Sequence, residues 1–154
     1  MKYIGKNFSI ENIKVRNLAK KYKTPLYCYS YKKLRENIIN FKKSFKNLNP
    51  IICFAVKANT NLKLLKEINK LNLGADVVSV GELIKALKAG IKPKKIVFSG
   101  VGKTSEELSF AIDKKILLIN TESKSEILEI EKIAKLKKKT VDIGIRLNPN
   151  TDAK

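Results

Sequence analysis

A lysine, Lys57, stands directly after a run of six apolar residues, Ile51 to Val56, and the chain turns polar beyond it. A short apolar run with β-branched and aromatic side chains is typical of a strand that is buried on both faces, as in parallel sheets. At the end of such a strand we expect the Lys57 ammonium to be partly desolvated, which favours the neutral, nucleophilic amine. An amine of this kind can form a Schiff base. The alternative is a lysine that buries only its stem and extends its charge into water.

Further polar residues recur at similar intervals, each near the end of a strand-like run. The successive intervals are between 20 and 26 residues, which fits one strand and one helix with their loops. Because the carboxyl ends of parallel strands share one edge, these side chains are expected around one mouth. The positions are Lys57, Ser79 with Asp76 shortly before it, Ser99, Asn120 and Arg146.

Strand-like runs alternate with amphipathic segments from about residue 40 onward, and the apolar residues of those segments follow the helical period. Three predicted helices begin with the capping-box pattern Ser/Thr-x-x-Glu, at Ser79/Glu82, Thr104/Glu107 and Ser123/Glu126. The predicted strands are residues 51–56, 75–78, 95–98, 116–119 and 141–147.

This alternation predicts an α/β fold with parallel strands and right-handed crossovers. The even spacing, without a Gly-x-Gly-x-x-Gly turn, favours a TIM (β/α)8 barrel over a doubly wound sheet. The sequence holds only about five of the eight βα units of such a barrel, so a partial barrel is predicted.

One glycine-rich segment is similar to a nucleotide-binding loop. Gly100-Val101-Gly102-Lys103-Thr104 follows a strand-like run and precedes a predicted helix. The first glycine of Gly-x-x-x-x-Gly-Lys-Thr would, however, fall on Val97. The phosphate cradle is incomplete, and we interpret the segment as a glycine loop before a capped helix.

The net charge of +19 raises the alternative of a basic nucleic-acid-binding module. Only three of the 33 basic residues are arginines, whereas bidentate recognition of phosphates and bases favours arginine. The lysines are scattered along the predicted helices and indicate solvated outer faces. We therefore expect no specific nucleic-acid partner.

The sequence also bears on compartment and metals. The first residues lack the apolar segment of a signal peptide, and no apolar run is long enough to cross a bilayer, so we expect a cytoplasmic protein without a membrane partner. Cys28 and Cys53 lie in apolar strand-like segments and are interpreted as reduced thiols. The sequence has no histidine and no Cys-x-x-Cys, so no metal site is expected.

Four stretches of the sequence form a recognisable set in their order and spacing. They are Thr24-Pro25-Leu26-Tyr27, Phe54-Ala55-Val56-Lys57-Ala58-Asn59, Ala75-Asp76-Val77-Val78-Ser79-Val80-Gly81-Glu82-Leu83, and Arg146-Leu147-Asn148-Pro149 followed by Asp152-Ala153-Lys154. With them the sequence resembles the diaminopimelate decarboxylases, which belong to the alanine-racemase-like, fold-type III barrel enzymes that use pyridoxal 5'-phosphate (PLP).

The resemblance implies roles for individual residues. It makes Lys57 the catalytic lysine that forms the Schiff base with PLP. Asp76, Glu82, Ser99 and Arg146 match positions that it places near the cofactor. Ordinary structural roles are the alternatives: a strand-end acid for Asp76, a helix cap for Glu82, a turn residue for Ser99 and a surface cation for Arg146. We also expect Asp76 and Arg146 to share one polar network.

The activity implied by the resemblance is the PLP-dependent decarboxylation of meso-2,6-diaminopimelate to L-lysine and CO2, in lysine biosynthesis, by a homodimer. Residues 1–30 would be a lead-in that joins a C-terminal β-domain, and residues 31–154 an incomplete PLP-binding barrel. The family's histidine, its Glu-Pro-Gly-Arg motif and the β-domain are missing from this sequence. We therefore expect an N-terminal fragment that is inactive alone.

The substrate stays open at this point, because the substrate-selecting residues of the family lie beyond Lys154. Decarboxylation of another basic amino acid or of carboxynorspermidine is one alternative. An amino-acid racemase on the same barrel is another.

Overall fold

A computed structural model describes residues 2–149, so the matching residues Asp152, Ala153 and Lys154 lie outside the described part. The chain divides into two compact units between Asn49 and Pro50. The predicted division after residue 30 falls inside the first unit and stays a prediction about the family's domains.

The first unit combines a small antiparallel sheet with two helices. The sheet has the order β1-β2-β3, and β2 pairs with both neighbours. The elements are β1 (Lys2–Ile4), β2 (Asn7–Ile10), β3 (Ile13–Lys14), α1 (Val15–Tyr22) and α2 (Tyr31–Lys43).

A turn residue of this sheet anchors the start of α2. Glu11, with a φ of 54°, follows β2, and its carboxylate accepts hydrogen bonds from the Ser30 hydroxyl at 2.8 Å and the Lys32 amide at 3.2 Å. Ser30 in turn caps α2 by accepting from the Lys33 amide. These two hydrogen bonds, the one from Ser30 first, lower the pKa of Glu11.

The second unit is a run of βα units around a five-stranded sheet. Neighbouring strands are parallel and lie in chain order, β4-β5-β6-β7-β8, which confirms the prediction of an α/β partial barrel. The elements are β4 (Cys53–Ala55), α3 (Leu62–Lys70), β5 (Gly74–Val77), α4 (Val80–Lys88), β6 (Ile96–Phe98), α5 (Ser105–Lys114), β7 (Leu118–Thr121), α6 (Lys124–Lys137) and β8 (Ile143–Ile145).

The core of this unit lies between one face of the sheet and the helices. Strand register places Ala75 beside Ile96 and Val77 beside Phe98, and all four side chains are buried. The apolar stripes of α3 to α6 complete this layer, as their helical period predicted. Their buried members are Leu64, Leu65, Ile68, Leu83, Ala86, Leu108, Ala111, Ile112, Ile130 and Ile133.

The opposite face of the sheet is only partly covered by the described residues. Ala55, Asp76 and Val97 lie side by side on it, and all three are half-buried. The prediction that the first strand is buried on both faces is therefore wrong: β4 is an edge strand, and Cys53 to Ala55 are all half-buried. This is the face that a closed barrel would turn inward.

The predicted capping boxes form in two different ways. Thr104 and Glu107 make the reciprocal box. Ser79 also caps its helix, but the carboxylate of Glu82 accepts from the Val78 amide, one residue before the cap. The Ser123/Glu126 pair repeats this second arrangement. Glu82 and Glu126 thus each bind the backbone where the chain leaves a strand.

No helix among residues 2–149 is long and apolar enough to span a membrane. The same part of the chain contains no group of three or more acidic, histidine or cysteine side chains that could hold a metal ion.

Candidate active site

The carboxyl ends of the five parallel strands form one edge of the second unit, and the candidate residues lie at or just beyond it. Asp76 lies within β5, Ser99 follows β6, and Asn120 lies within β7. Lys57 follows β4 by two residues, and Arg146 directly follows β8. Parallel pairing in chain order thus brings all of them to the same edge.

Lys57 lies in a turn, and its side chain is exposed. A 3-10 turn over Val56–Ala58 ends β4, and the Asn59 amide closes it onto the Val56 carbonyl at 3.0 Å. Val56 is fully buried and anchors the turn. The expectation that Lys57 is partly desolvated is wrong for the described residues. Strand β4 stops two residues earlier, so the lysine side chain extends from the turn and is exposed. No hydrogen bond or ion pair within residues 2–149 engages its ammonium.

Asp76 carries a buried oxygen without a partner. Its Oδ1 atom is the one buried side-chain oxygen or nitrogen in the described part of the chain that has no hydrogen bond. Leaving such an atom unsatisfied typically costs about 1–3 kcal/mol, so it calls for an explanation. The side chain lies on the partly covered face, level with Ala55, two residues before Lys57. A group bound over this face could supply the missing donor.

Ser99 and Asn120 form a hydrogen bond to each other at the carboxyl ends of β6 and β7. The Asn120 Nδ2 atom donates to the Ser99 Oγ atom at 2.9 Å. Two glycines allow the close packing here. A Cβ atom on Gly100 would lie 2.2 Å from the Val78 carbonyl oxygen, and one on Gly144 would lie 2.4 Å from the Asn120 Oδ1 atom.

Arg146 extends from the end of β8 and pairs with Glu122 at 3.3 Å. Its side chain is 61% exposed, which agrees with the alternative role of a surface cation. No hydrogen bond or ion pair joins Arg146 to Asp76 within residues 2–149, so the structure does not bring these two side chains into direct contact.

Glu82 has a local task. Its Oε2 atom accepts from the Val78 amide at 2.9 Å, and its own amide donates to the Ser79 hydroxyl at 3.3 Å. The structure therefore shows the helix-start role. Its role toward a cofactor, like those of Asp76, Ser99 and Arg146, stays a prediction.

One residue of this edge was missed as a site residue. Lys103 belongs to the segment that is similar to a nucleotide-binding loop, and its side chain is only 1% exposed. Its Nζ atom donates to the Asn120 carbonyl at 2.7 Å and to the Glu126 Oε1 atom at 2.8 Å. The signal was a lysine that follows two glycines after a strand, but the sequence did not indicate its partners.

The comparisons with known proteins agree with this geometry. Residues 31–154 match the family model described as "Pyridoxal-dependent decarboxylase, pyridoxal binding domain". The chain is similar to diaminopimelate decarboxylase of Helicobacter pylori strain J99, at 49% identity over 89% of this chain and 34% of that protein. It is also similar to that of Aquifex aeolicus, at 43% identity over 100% of this chain and 36% of that protein.

A solved structure gives the same result for the fold. The crystal structure of diaminopimelate decarboxylase from H. pylori, complexed with L-lysine, matches with a TM-score of 0.86 and 46% identity over 91% of this chain and 36% of that chain. These comparisons confirm the family resemblance found in the sequence. The chain spans about a third of the length of the curated relatives it matches.

The parallel βα units, the lysine at their carboxyl edge and the family model over residues 31–154 lead to one assignment. The chain belongs to the pyridoxal-dependent decarboxylases and carries their pyridoxal binding domain.

Proposed function

We propose that the whole protein decarboxylates meso-2,6-diaminopimelate to L-lysine and CO2 with PLP as cofactor. The observation that carries this proposal is Lys57, an exposed primary amine with no partner among the described residues, held on a turn at the carboxyl edge of the sheet. The names of the similar proteins support the substrate.

The residues of this edge fit PLP, which offers an aldehyde, a ring nitrogen that can carry a proton, and a phosphate. Lys57 supplies the amine that an aldehyde requires. Asp76 supplies a carboxylate oxygen that lacks a donor. Ser99 accepts a hydrogen bond from Asn120, so its own hydroxyl proton is available to an anionic oxygen. The amine, the carboxylate and the hydroxyl thus offer three polar contacts to the cofactor at this edge.

Each residue has a distinct task in this proposal. The cofactor, when bound, takes up the electron pair that remains as the substrate loses CO2. Lys57 would hold the cofactor through its amine, next to the place where the amino group of the substrate would bind. Asp76 contributes negative charge and an acceptor near the cofactor, and Ser99 contributes a donor. Arg146 contributes a cation at the far end of the edge.

Glu82 acts through the backbone in our proposal. By holding the Val78 amide it fixes the chain where β5 leaves the sheet, close to Asp76. We therefore assign it to the shape of the cofactor site and not to the chemistry.

Among the alternative substrates, diaminopimelate is favoured by the closer relatives. The arginine decarboxylase of Paramecium bursaria Chlorella virus also matches, but with a TM-score of 0.70 and 25% identity. The diaminopimelate decarboxylases of H. pylori strain J99 and A. aeolicus match at 49% and 43% identity. We further propose that the whole protein is a homodimer, as its family resemblance implies, and that it is cytoplasmic, as we expect from its sequence.

The proposal is tested by CO2 release from the full-length protein with PLP. The substrates to compare are meso-diaminopimelate, L-lysine, L-ornithine and L-arginine at equal concentration. We expect the highest kcat/KM for meso-diaminopimelate, and no release from a Lys57→Ala variant. A Lys63→Ala variant, which removes another exposed lysine in the following helix, should retain full activity. Preference for another amino acid would overturn the proposed substrate, and equal activity of Lys57→Ala would overturn the proposed mechanism.

A further inference from the structure

Lys103 carries a buried charge beside the candidate active site. It lies between β6 and α5, and its Nζ atom lies 5.5 Å from the centre of the Phe98 ring. The side chain is 1% exposed, and that of its ion-pair partner Glu126 is 10% exposed. Burial of two charges carries a large desolvation cost, and an apolar pair of similar size often stabilises a fold as well or better. Stability alone is therefore a weak explanation for this pair.

The Lys103–Glu126 pair forms hydrogen bonds to the backbone at both ends of one short segment, residues 120–122. Lys103 donates to the carbonyl of Asn120 at 2.7 Å. The second oxygen of Glu126 accepts from the amide of Glu122 at 2.7 Å. Between these points Thr121 is buried, and its hydroxyl donates to the Gly144 carbonyl at 2.9 Å. The backbone of residues 120–122 is thus fixed where β7 ends.

The side chains on that segment reach two predicted cofactor residues. The Asn120 amide donates to the Ser99 hydroxyl at 2.9 Å. The Glu122 carboxylate accepts from the Arg146 guanidinium at 3.3 Å. One buried ion pair therefore supports both contacts, which connect the ends of the neighbouring strands β6, β7 and β8.

We infer that Lys103, paired with Glu126, is a positioning residue that sets Ser99 and Arg146 toward the cofactor by fixing residues 120–122. This inference rests on the proposed function. Lys103 is buried and directed toward the Asn120 carbonyl, so it acts through this segment and is not itself a catalytic residue. A displacement of about 1 Å at a reacting group can lower activity about 100-fold, so fixing this segment has functional value.

The test uses the full-length protein with Lys103→Met and with the double variant Lys103→Met/Glu126→Met. The double variant removes both charges and replaces them with apolar side chains of similar volume, so it remains informative if the single variant fails to fold. We expect the Kd for PLP to rise about 10-fold or more in the double variant. The matched control is Lys95→Met, which removes a lysine bound to Asn72 at the opposite end of the sheet. We expect that control to bind PLP as the wild type does.

A second measurement reports on position without the cofactor. In ¹⁵N NMR spectra of the unloaded protein, the Asn120 side-chain amide should shift in the double variant and not in the Lys95→Met control. The Glu122 backbone amide should also exchange with solvent faster in the double variant, because it loses its acceptor. Unchanged signals and exchange at both residues would overturn the positioning role.

The outcomes separate this inference from the proposed function. Wild-type protein that takes up no PLP would contradict the proposed function and the cofactor part of the inference with it. Wild-type protein that binds PLP, together with a double variant that binds it equally tightly, would overturn the role of Lys103 alone.

Discussion

The side-chain amide of Asn120 on β7 donates a 2.9 Å hydrogen bond to the hydroxyl of Ser99, which follows β6. The two residues are 21 positions apart, one βα unit, and parallel pairing brings them together. The backbone carbonyl of Asn120 accepts a hydrogen bond from the Lys103 ammonium, and the Ser99 hydroxyl keeps a proton that it can donate. This contact connects the backbone at the end of β7 to the site where we expect the cofactor.

The Ser99–Asn120 contact should be measurable as a coupling in the full-length protein. We expect Ser99→Ala and Asn120→Ala each to lower the free energy of unfolding by about 0.5–1.5 kcal/mol, the usual value of one hydrogen bond. The double variant should lose less than the sum of the two, because both changes remove the same bond. Urea unfolding gives the three values. Strict additivity would mean that the bond contributes nothing.

Gly100 should not tolerate a side chain. A Cβ atom there would lie 2.2 Å from the Val78 carbonyl oxygen, which belongs to the backbone and cannot turn away. We expect Gly100→Ala to destabilise the fold by about 2 kcal/mol or more. Gly81→Ala is the matched control, because its Cβ atom would meet nothing closer than the Ser79 hydroxyl at 3.8 Å. That control, in the first turn of α4, should be neutral or stabilising by up to about 1 kcal/mol. Equal effects of the two changes would refute the argument.

The charge of Asp76 should be detectable through Cys53. Burial first, and then the negative charge of Asp76, raise the pKa of the Cys53 thiol. A raised pKa means that less thiolate is present at a given pH, so alkylation by iodoacetamide should be slow at mildly alkaline pH. Asp76→Asn removes one of the two causes, lowers the pKa of Cys53 and should accelerate alkylation.

This experiment is cleanest in a Cys28→Ser background, where Cys53 is the single cysteine among residues 1–154, with alkylation followed on the peptide that contains Cys53. Asp142→Asn, a change at an exposed carboxylate on another strand connection, serves as the control and should leave the rate unchanged. An alkylation rate that does not respond to Asp76→Asn would show that Asp76 carries no charge beside Cys53.

The 154-residue chain on its own should associate. Within the described residues, β4 and β8 each pair on one side only, so both edges of the five-stranded sheet present unpaired backbone groups. The net charge of +19 opposes association at low salt, and added salt screens it. We expect light scattering to rise with ionic strength, and no CO2 release from diaminopimelate. A chain that stays monomeric at high salt and unfolds cooperatively would contradict this expectation.

The order of the strands, and the edge at which the candidate residues lie, could be predicted from the sequence. Apolar runs at even spacing, with Ser79, Thr104 and Ser123 at the helix starts, are local signals that the structure confirms. The exposure of Lys57 could not be predicted in this way, because it depends on where β4 stops and on what covers the second face of the sheet.

The ion pair of Lys103 could not be predicted from the sequence, for a different reason. Lys103 and Glu126 are 23 residues apart, and neither the glycine loop nor the capping pattern indicates that the two side chains meet. The sequence shows two local motifs, whereas the structure shows that the glutamate of one motif pairs with the lysine of the other.

The identity of the lysine that binds PLP is the most direct test of this account. The full-length protein should be incubated with PLP, reduced with borohydride and digested, and the modified peptide should be identified by mass spectrometry. We predict that the label lies on Lys57, that Lys57→Ala and Lys57→Arg lose it, and that both variants stay within about 0.5 kcal/mol of wild-type stability because the side chain is exposed. Label on another lysine, or equal labelling of Lys57→Ala, would contradict the account.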